Sequence, residues 1–550
     1  PDNAVLLSFD DGYETMYNVV FPLLKAYNYP AVFAPVTGWL DTPADQKIAY
    51  ADKMLDRSVF ATWSQVKEME QSGLVEVASH THNLHNGINA NPSGGQLPSV
   101  IAPEYKNGKY ETEDAYKNRL KSDFTRSVQT LVNHVGKKPR VMVWPYGQFN
   151  DVAVQLARQA GMPHYFSLGE KIINKVGDKH IGRLLLNAET DLNTVKNYLD
   201  GIDESKQIQR VLHVDLDYVY DADKAQQAKN LDKLIDRIYR YGVTTVYLQA
   251  FSDPDGDGVA DALYFPNKYL PVRDDIFGRI AWQLQTRAGV QVYAWMPVLA
   301  FDLRKSVKEA EYVIDSRTGK PSTKAYLRLS PYNKQNVEII KSIYNDLSFY
   351  AKFNGILFHD DAFLTDFEGA EGDHAEGMVS PQAKQKTQDL IQLTHQLTDA
   401  LKPYFLRGSY SLKTARNLYA SVITNQNAEE WLAQNLKTLT DNYDTTAIMA
   451  MPYMENEQPI SQEEAYQWFA SLIENVKTQA PLDKVLFEFQ AVNWRTQKPI
   501  PESELIDWMK LLQKNHIYSY GYYPDNFLTN QPDLNKMKPY FSVNTNAGKQ

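Results

Sequence analysis

After four residues the sequence reads Val5-Leu6-Leu7-Ser8-Phe9-Asp10-Asp11-Gly12, an apolar run that ends in two carboxylates and a glycine. The apolar part predicts a buried strand, and Asp-Asp-Gly predicts the loop after it. Adjacent side chains at a strand end point in opposite directions. One of these carboxylates can therefore bind a metal ion while the other faces a water molecule.

Two further motifs follow predicted strands in the same region. The first is Ser79-His80-Thr81-His82-Asn83-Leu84-His85. Two imidazoles and one carboxylate form a ligand set with open positions, suited to Zn²⁺ or another divalent transition metal. His82 shares a strand face with His80, so it is an alternative to His85 as the second imidazole. The second motif is Trp144-Pro145-Tyr146-Gly147, where a backbone N–H could hold an oxyanion.

The first region alternates strands and helices, which predicts an α/β domain. Its predicted strands are Val5–Phe9, Ala31–Pro35, Val75–Ser79 and Val141–Trp144. Its predicted helices lie near Asn18–Tyr27, Trp63–Gln71, Ala115–His134 and Val152–Ala160. A polar stretch with a glycine, at residues 200–206, predicts a linker. The predicted domains are therefore 1–200 and 205–550.

The second region alternates apolar, β-branched runs with amphipathic helical stretches eight times, which predicts a (β/α)₈ barrel. The predicted strands are Val211–Leu216, Thr244–Gln249, Val290–Trp295, Gly355–Phe358, Phe405–Tyr410, Thr446–Met451, Val485–Phe489 and Ile517–Tyr522. Chemistry in such a barrel is expected at the carboxyl ends of the strands. Carboxylates and aromatic side chains are concentrated there.

Composition excludes several classes of protein. There are no cysteines, so disulfides, thiolate metal sites and a cysteine nucleophile are excluded. No run of about 18 apolar residues exists, which excludes a membrane-spanning helix by sequence. The net charge is −10, with most of the acidic excess after residue 200, which argues against nucleic acid as a partner. An acidic second region would suit a cationic ligand.

The three motifs together resemble those of the NodB-type polysaccharide deacetylases. The resemblance implies that Asp10 is the general base, and that Asp11, His80 and His85 hold a divalent metal, namely Zn, Co, Ni or Fe. It also implies that the backbone N–H of Tyr146 stabilises the tetrahedral oxyanion. The spacing from His80 to His85 is one residue longer than the common His-x-x-x-His.

The resemblance extends along the whole chain to one subfamily, the two-domain poly-β-1,6-N-acetyl-D-glucosamine N-deacetylases of PgaB type. It implies a permuted, distorted (β/α) deacetylase barrel followed by a (β/α)₈ barrel. In that subfamily the acid histidine precedes the Asp-Asp-Gly strand, so the general acid is expected upstream of residue 1. His164 and His180 are alternatives by position only. The matching stretches are Leu6–Tyr13, Tyr29–Pro43, Val75–Gly87, Val143–Gly147, His213–Tyr220, Val246–Gly258, Ala281–Val298, Gly355–Asp361, Thr445–Tyr453 and Tyr520–Phe527.

The same resemblance implies that the second domain binds, and in some members cleaves, partly deacetylated polymer. Cleavage requires two carboxylates. The candidates are Asp360 or Asp361 together with Glu488. Asp215 and Asp217 are expected to bind glucosamine ammonium groups. The side chains expected to stack on sugar rings are Trp295, Tyr453, Trp494, Tyr522 and Tyr523.

The implied function is metal-dependent N-deacetylation of poly-N-acetylglucosamine during biofilm export. The expected location is the periplasm, with an outer-membrane porin as partner and a lipid anchor lying outside this sequence. One alternative is a glycan-binding export adaptor with a non-hydrolytic barrel; another is a chitin or peptidoglycan deacetylase. The acidic loop Asp253–Gly258 resembles a calcium loop only weakly, because Tyr264 stands where an EF-hand requires Glu.

Overall fold

The computed structural model describes residues 4–169, 173–200, 208–322, 325–369, 379–408, 411–456 and 458–544. The chain divides into two compact units. Unit 1 contains residues 1–205 and 403–411, and unit 2 contains residues 206–402 and 412–550. Of the predicted linker at 200–206, only residue 200 lies within the described residues.

The strands of unit 1 include the apolar runs predicted from the sequence. They are β1 (Leu7–Asp11), β2 (Ala31–Pro35), β3 (Lys47–Tyr50), β4 (Lys53–Asp56), β5 (Val75–Val77), β6 (Gly87–Asn89), β7 (Gln96–Pro98), β8 (Tyr105–Lys106), β9 (Lys109–Tyr110), β10 (Val141–Val143), β11 (His164–Leu168) and β12 (His180–Arg183). β1, β2 and β5 form one parallel sheet, and β10, β11 and β12 form another. A parallel bridge between Ser79 and Met142 joins the two sheets. The described strands thus align their carboxyl ends at one edge, where β1 places Asp10 and Asp11.

The helices of unit 1 cover these sheets and contribute the apolar side chains of the core. They are α1 (Phe21–Tyr27), α2 (Thr37–Asp41), α3 (Trp63–Gln71), α4 (Glu113–Val135), α5 (Asp151–Gln159) and α6 (Leu192–Leu199). α4 has 23 residues; it begins where the Thr112 side chain accepts a hydrogen bond from the Ala115 N–H and ends at Gly136, whose φ is 86°. These caps are the sequence signals expected at the two ends of a helix. The buried side of α4 includes Tyr116, Leu120, Phe124 and Leu131.

Unit 2 is a closed barrel of eight parallel strands, which confirms the predicted (β/α)₈ fold. The barrel strands, in order around the ring, are β13 (Arg210–Val214), β14 (Thr245–Gln249), β17 (Gln291–Met296), β20 (Gly355–Phe358), β21 (Lys413–Tyr419), β22 (Thr445–Ala450), β23 (Val485–Gln490) and β26 (Tyr520–Tyr523). Short hairpins pair β15 (Phe251–Ser252) with β16 (Ala262–Leu263), β18 (Ile314–Asp315) with β19 (Lys320–Pro321), and β24 (Val492–Asn493) with β25 (Lys498–Pro499). β26 pairs with β13, which closes the ring.

The helices of unit 2 alternate with the barrel strands, as a (β/α)₈ topology requires. They are α7 (Lys224–Tyr241), α8 (Phe277–Gln283), α9 (Lys334–Tyr350), α10 (Pro381–Leu401), α11 (Ser421–Thr424), α12 (Glu429–Leu432), α13 (Leu436–Asn442), α14 (Pro452–Glu455), α15 (Gln462–Gln479), α16 (Glu502–Lys514) and α17 (Leu534–Phe541). Their apolar faces are buried, as Leu234 on α7 and Trp508 on α16 show.

The predicted fifth barrel strand, Phe405–Tyr410, is wrong. The strand is Lys413–Tyr419, and residues 403–411 belong to unit 1 instead. There Arg407 and Phe149 exchange backbone hydrogen bonds of 2.8 and 3.1 Å. Residues 403–411 therefore pack within unit 1, although their sequence resembles a barrel strand. Unit 1 thus contains a second segment of the chain, which the predicted ranges 1–200 and 205–550 do not place there.

Within the described ranges, every helix is too short or too polar to traverse a lipid bilayer.

The barrel closure predicts a stability effect at Gly521 on β26. A Cβ added there would lie 2.5 Å from the Val211 carbonyl oxygen and 2.8 Å from its Cβ. Gly521→Ala should therefore destabilise the barrel by about 1–3 kcal/mol, the usual cost of overpacking. Chemical denaturation, followed by tryptophan fluorescence, measures the change. Gly319→Ala is the control, because an added Cβ meets no atom within 4 Å there and only its left-handed φ of 64° opposes the change. Equal unfolding midpoints for Gly521→Ala and the parent chain would contradict the prediction.

Candidate active site

Asp11 lies where β1 turns away from the sheet. Its φ is 71° and that of Gly12 is 98°, so two successive residues adopt left-handed conformations. A left-handed conformation at a non-glycine residue is uncommon and is found most often at functional sites. Gly12 is required because a Cβ would lie 3.0 Å from atoms of both Leu40 and Pro35. The Asp-Asp-Gly sequence thus forms the tight turn that presents both carboxylates.

Asp11, His80 and His85 meet at this turn. The Asp11 Oδ1 atom lies 3.3 Å from His80 Nε2 and 3.2 Å from His85 Nε2. The three ligand atoms all lie within 4.8 Å of one another. Burial raises the pKa of Asp11, but hydrogen bonds and charge attraction from the two imidazoles outweigh it and hold that pKa well below its usual range. The structure brings together the three residues predicted as ligands.

Neighbouring groups orient this ligand set. His80 Nδ1 donates to the Val143 carbonyl oxygen at 2.7 Å, because a carbonyl oxygen can only accept, and this leaves Nε2, which faces Asp11, as the nitrogen that would bind a metal ion once its own proton is absent. The Tyr50 hydroxyl donates to Asp11 Oδ2 at 2.8 Å. Such outer contacts are typical of metal-binding histidines and carboxylates. Two imidazoles and one carboxylate with fixed orientation fit a divalent transition metal.

His82 lies outside the ligand group. Its Nδ1 is 2.9 Å from the Thr37 hydroxyl, and its backbone N–H donates to Asp123. Burial lowers the pKa of His82, with Arg126 acting in the same direction. The alternative in which His82 replaces His85 has no support in this geometry.

Asp10 forms a bidentate ion pair that the sequence analysis missed. Arg183, at the carboxyl end of β12, donates to the two Asp10 oxygens at 2.8 and 2.9 Å. The same guanidinium donates to the Ser8 hydroxyl at 2.8 Å. The fork geometry fixes the plane of the carboxylate as well as its position. No local motif marks Arg183; β12 and β1 belong to different sheets, so the contact with Asp10 arises from tertiary packing.

The Pro145–Gly147 turn lies beside the ligand group. Tyr146 has a φ of 58° and a ψ of 12°, and its ring centroid is 4.5 Å from that of His85. Gly147 has a φ of 68°, and a Cβ there would lie 2.7 Å from the Leu168 side chain. The turn therefore depends on its glycine and places Tyr146 at the metal-binding edge of the sheet.

The two alternative acid histidines lie at the other end of their strands. His164 is the first residue of β11 and His180 the first of β12, whereas the candidate site is at the carboxyl ends. His180 Nε2 is 2.6 Å from the Ser167 hydroxyl, and its ring stacks on Tyr165. Neither position is suited to protonate a leaving group at the Asp10–Asp11 turn.

In unit 2, Asp360 follows β20 at the carboxyl end of the barrel. Its oxygens accept hydrogen bonds from Tyr326 at 2.9 Å and Tyr419 at 2.7 Å, and one lies 2.8 Å from His359 Nε2. Burial raises the pKa of Asp360, but these partners outweigh burial and lower it to about 2. Burial lowers the pKa of His359, and the adjacent carboxylates reverse this and raise it to about 10. Asp360 is therefore an ionised carboxylate at neutral pH.

Asp215 directly follows β13, and its pKa is shifted in the opposite direction to that of Asp360. It is buried, and its Oδ1 has no hydrogen-bond partner among the described residues. Burial and the nearby Asp217 raise the pKa of Asp215 to about 8. The sequence analysis assigned Asp215 to cation binding, but a buried carboxyl group with this pKa is mostly protonated at neutral pH.

The other predicted carboxylates have charged or hydrogen-bonding neighbours, although Oε1 of Glu488 has no partner in hydrogen-bond geometry among the described residues. Glu488 is 1% exposed, lies 2.7 Å from His213 Nε2 and accepts from Asn417 at 2.7 Å. Asp361 accepts three backbone N–H groups, from residues 298, 299 and 300. Asp217 pairs with Arg273 at 2.6 Å. Asp361 therefore holds the loop at residues 298–300, and the charge of Asp217 is paired with the guanidinium of Arg273.

The predicted aromatic residues separate into two groups. Trp295 and Tyr523 surround the mouth of the barrel, with ring centroids 5.5 Å apart, and Trp494 stacks on Tyr523 at 6.2 Å. Tyr453 is half-buried and its hydroxyl donates to Glu504. Tyr522 is fully buried, and its hydroxyl donates to Asp525 at 2.6 Å. Its alternation with Tyr523 along β26 directs it out toward the helices, so the structure gives no sugar-stacking surface at Tyr522.

In the acidic loop after β14, one carboxylate oxygen from each of Asp253, Asp255 and Asp257 lies within 4.8 Å of the other two. The Asp253 carboxylate accepts backbone N–H groups from Gly256, Asp257 and Gly258. These bonds account for the loop conformation, and no ion is needed to explain it.

Comparison with known proteins agrees with the fold. Residues 1–165 match the polysaccharide deacetylase family model, and residues 213–523 match the model described as hypothetical glycosyl hydrolase family 13. The glycoside hydrolase domain structure of PgaB (BpsB) from Bordetella bronchiseptica is 38% identical, covers 62% of this chain and all of that chain, and superposes with a TM-score of 0.56. The protein is thus a polysaccharide N-deacetylase whose second domain is a glycoside-hydrolase-like barrel.

The particular family follows from two curated relatives. The poly-β-1,6-N-acetyl-D-glucosamine N-deacetylase of Escherichia coli strain K12 is 40% identical over 99% of this chain and 84% of its own length. The enzyme of the same name from Staphylococcus aureus is 28% identical over 37% of this chain and 61% of its own length. The chain belongs to the family of two-domain, PgaB-type poly-β-1,6-N-acetyl-D-glucosamine N-deacetylases.

The Asp10–Arg183 pair predicts a kinetic effect. Arg183→Met should lower kcat for acetate release by about tenfold or more, because Asp10 loses the fork that orients it, while KM and bound metal stay near those of the parent chain. Arg183→Lys should recover only part of the activity, since an ammonium cannot reproduce the bidentate geometry. Unchanged kcat in Arg183→Met, with metal content measured in the same sample, would show that the pair has no catalytic role.

Proposed function

We propose that unit 1 removes acetyl groups from poly-β-1,6-N-acetyl-D-glucosamine in a metal-dependent hydrolysis. The observation that supports this most strongly is the convergence of Asp11, His80 and His85 beside an Arg-oriented Asp10. The names of the relatives give the polymer as the substrate. Chitin or peptidoglycan is less well supported, because the relatives that share both domains carry the β-1,6 name.

Each residue of the site has a separate role in the proposed reaction. When bound by Asp11, His80 and His85, a divalent metal supplies Lewis acidity and lowers the pKa of water. Asp10, on the opposite side of the strand end, takes the proton of the attacking water. Arg183 holds Asp10 in the required plane. The backbone N–H of Tyr146 stabilises the oxyanion that forms on the former carbonyl oxygen of the acetamide. Cleavage of the C–N bond then releases acetate and the sugar amine, which takes the proton that Asp10 accepted from water.

Two variants separate the base from the metal ligand. Asp10→Ala and Asp11→Ala should both lose deacetylation of the β-1,6 polymer, assayed as acetate release with added Zn²⁺, Co²⁺ or Ni²⁺. Only Asp11→Ala should lose bound metal, because Asp10 lies outside the ligand group. Loss of a general base typically lowers the rate by 10²–10⁴-fold. Parent-level activity in Asp10→Ala would refute its assignment as base.

We also propose that the barrel cleaves partly deacetylated polymer, because Asp360 and Asp215 follow strands β20 and β13 at the carboxyl end of the barrel, where their surroundings shift the two pKa values in opposite directions. Asp360 is ionised and Asp215 is mostly protonated at neutral pH. Glycoside hydrolysis needs one carboxylate and one carboxylic acid, and environments that separate two pKa values identify them. Asp215 therefore replaces Glu488 as the candidate proton donor, and Asp360 rather than Asp361 is the candidate anionic group.

The surrounding side chains suit a glucosamine polymer. Tyr523 and Trp494, which are half-buried, offer aromatic faces on which sugar rings can stack, whereas Trp295 is only 5% exposed. The acidic excess of the second region favours a polymer that deacetylation has made cationic. The proposed place of action, the periplasm, and the proposed outer-membrane porin partner rest on the family to which the chain belongs.

The pH dependence of cleavage tests the donor. Release of short oligosaccharides by the full chain should decrease as the pH rises above about 8, because Asp215 loses its proton there. Asp360→Asn and Asp215→Asn should each lower release by about 10²-fold or more. Glu488→Gln is the matched comparison. If Glu488→Gln loses activity while Asp215→Asn keeps full activity, the proton donor is Glu488 and not Asp215. No release from the parent chain at any pH would leave the barrel as a binding module.

A further inference from the structure

The segment between the two histidine ligands has a strained backbone. Thr81, directly after His80, has a φ of 69°. A β-branched residue in this region is a rare outlier with a strained backbone. The strained conformation persists only where surrounding groups hold it, so the contacts of residues 81–83 decide how His80 and His85 are spaced.

One side of this segment is held through its carbonyl oxygens. The Thr37 N–H donates to the Thr81 carbonyl at 3.2 Å, and the Gly38 N–H donates to the His82 carbonyl at 2.9 Å. Gly38 allows this approach, because a Cβ there would lie 2.5 Å from the His82 carbonyl oxygen. α2 therefore fixes the segment from one direction.

The other side is held by a single carboxylate on α4. Asp123 accepts the His82 N–H at 2.8 Å with Oδ1 and the Asn83 N–H at 2.7 Å with Oδ2. Both oxygens are thus used on consecutive peptide groups. One turn further along α4, the Ser127 hydroxyl lies 2.7 Å from that of Ser79, the residue before His80.

We propose that Asp123 is a positioning residue of the metal centre, which sets the spacing of His80 and His85 by clamping the peptide groups between them. The proposal rests on the ligand assignment made for the proposed function. It also accounts for the ligand spacing: a segment one residue longer than the common His-x-x-x-His needs a fixed path if both imidazoles are to face Asp11.

The energetics of Asp123 favour this role over a purely structural one. Burial raises the pKa of Asp123 to about 6, although the two backbone hydrogen bonds act against the shift. A carboxyl group with a raised folded-state pKa contributes stability only at low pH, and that contribution is lost as the pH rises from about 4 to about 6. At neutral pH the fold therefore keeps Asp123 ionised against the cost of burial, with both of its oxygens used on peptide groups that lie between the two ligands.

Metal affinity tests the proposal. Asp123→Ala should weaken Zn²⁺ or Co²⁺ binding by about tenfold to a hundredfold, measured by competition with a chromophoric chelator, as is usual when an outer contact of a metal site is lost. Asp123→Asn should weaken binding less, because its amide oxygen still accepts one N–H while its amino group opposes the other. Asp114→Ala, an exposed aspartate on the same helix, is the control and should bind metal as the parent chain does.

The thermal melting of the metal-free proteins completes the test. We expect metal-free Asp123→Asn to melt below the parent chain, because one buried N–H loses its acceptor, and to gain less stability on addition of metal than the parent chain does. Metal affinity within twofold of the parent in both Asp123 variants would overturn the proposal. An Asp11→Ala arm separates this failure from that of the ligand assignment: if Asp11→Ala also binds metal normally, the proposed metal site itself is wrong.

Discussion

The contact of one carboxylate oxygen of Asp11 with two imidazoles is the interaction on which the account of unit 1 depends. It requires three chain segments to end at the same edge of a parallel sheet, and a left-handed turn at Asp11–Gly12. The neighbouring groups orient the three residues that make this contact. Tyr50 and the Val143 carbonyl orient its members, and α4 fixes the path between the two histidines.

Much of the fold and of this site could be predicted from the sequence, because the signals are local. Strand periodicity followed by Asp-Asp-Gly places Asp10 and Asp11 at a strand end, and eight alternating runs predict the barrel. Parallel strands gather their carboxyl ends, so residues distant in sequence become neighbours by topology alone. The resemblance to NodB-type deacetylases then indicates that the ligand set supports metal-dependent deacetylation, which residue spacing alone does not indicate.

The remaining features depend on tertiary packing that no local pattern records. Arg183 reaches Asp10 from a strand of a different sheet, and Asp123 reaches the His82 N–H from the middle of a helix. The apolar run at residues 405–410 has the composition of a strand, yet it belongs to unit 1. The protonation of Asp215 follows from its burial, whereas its sequence context favoured a cation-binding role.

The central claim is that Asp11, His80 and His85 hold the catalytic metal. Anomalous diffraction from crystals of the Co²⁺- or Zn²⁺-loaded protein tests it most directly. The account predicts a single strong peak in unit 1, about 2.0–2.2 Å from one Asp11 oxygen and from the Nε2 atoms of His80 and His85. A peak coordinated by His82, or the only peak at the Asp253–Asp257 loop, would contradict it.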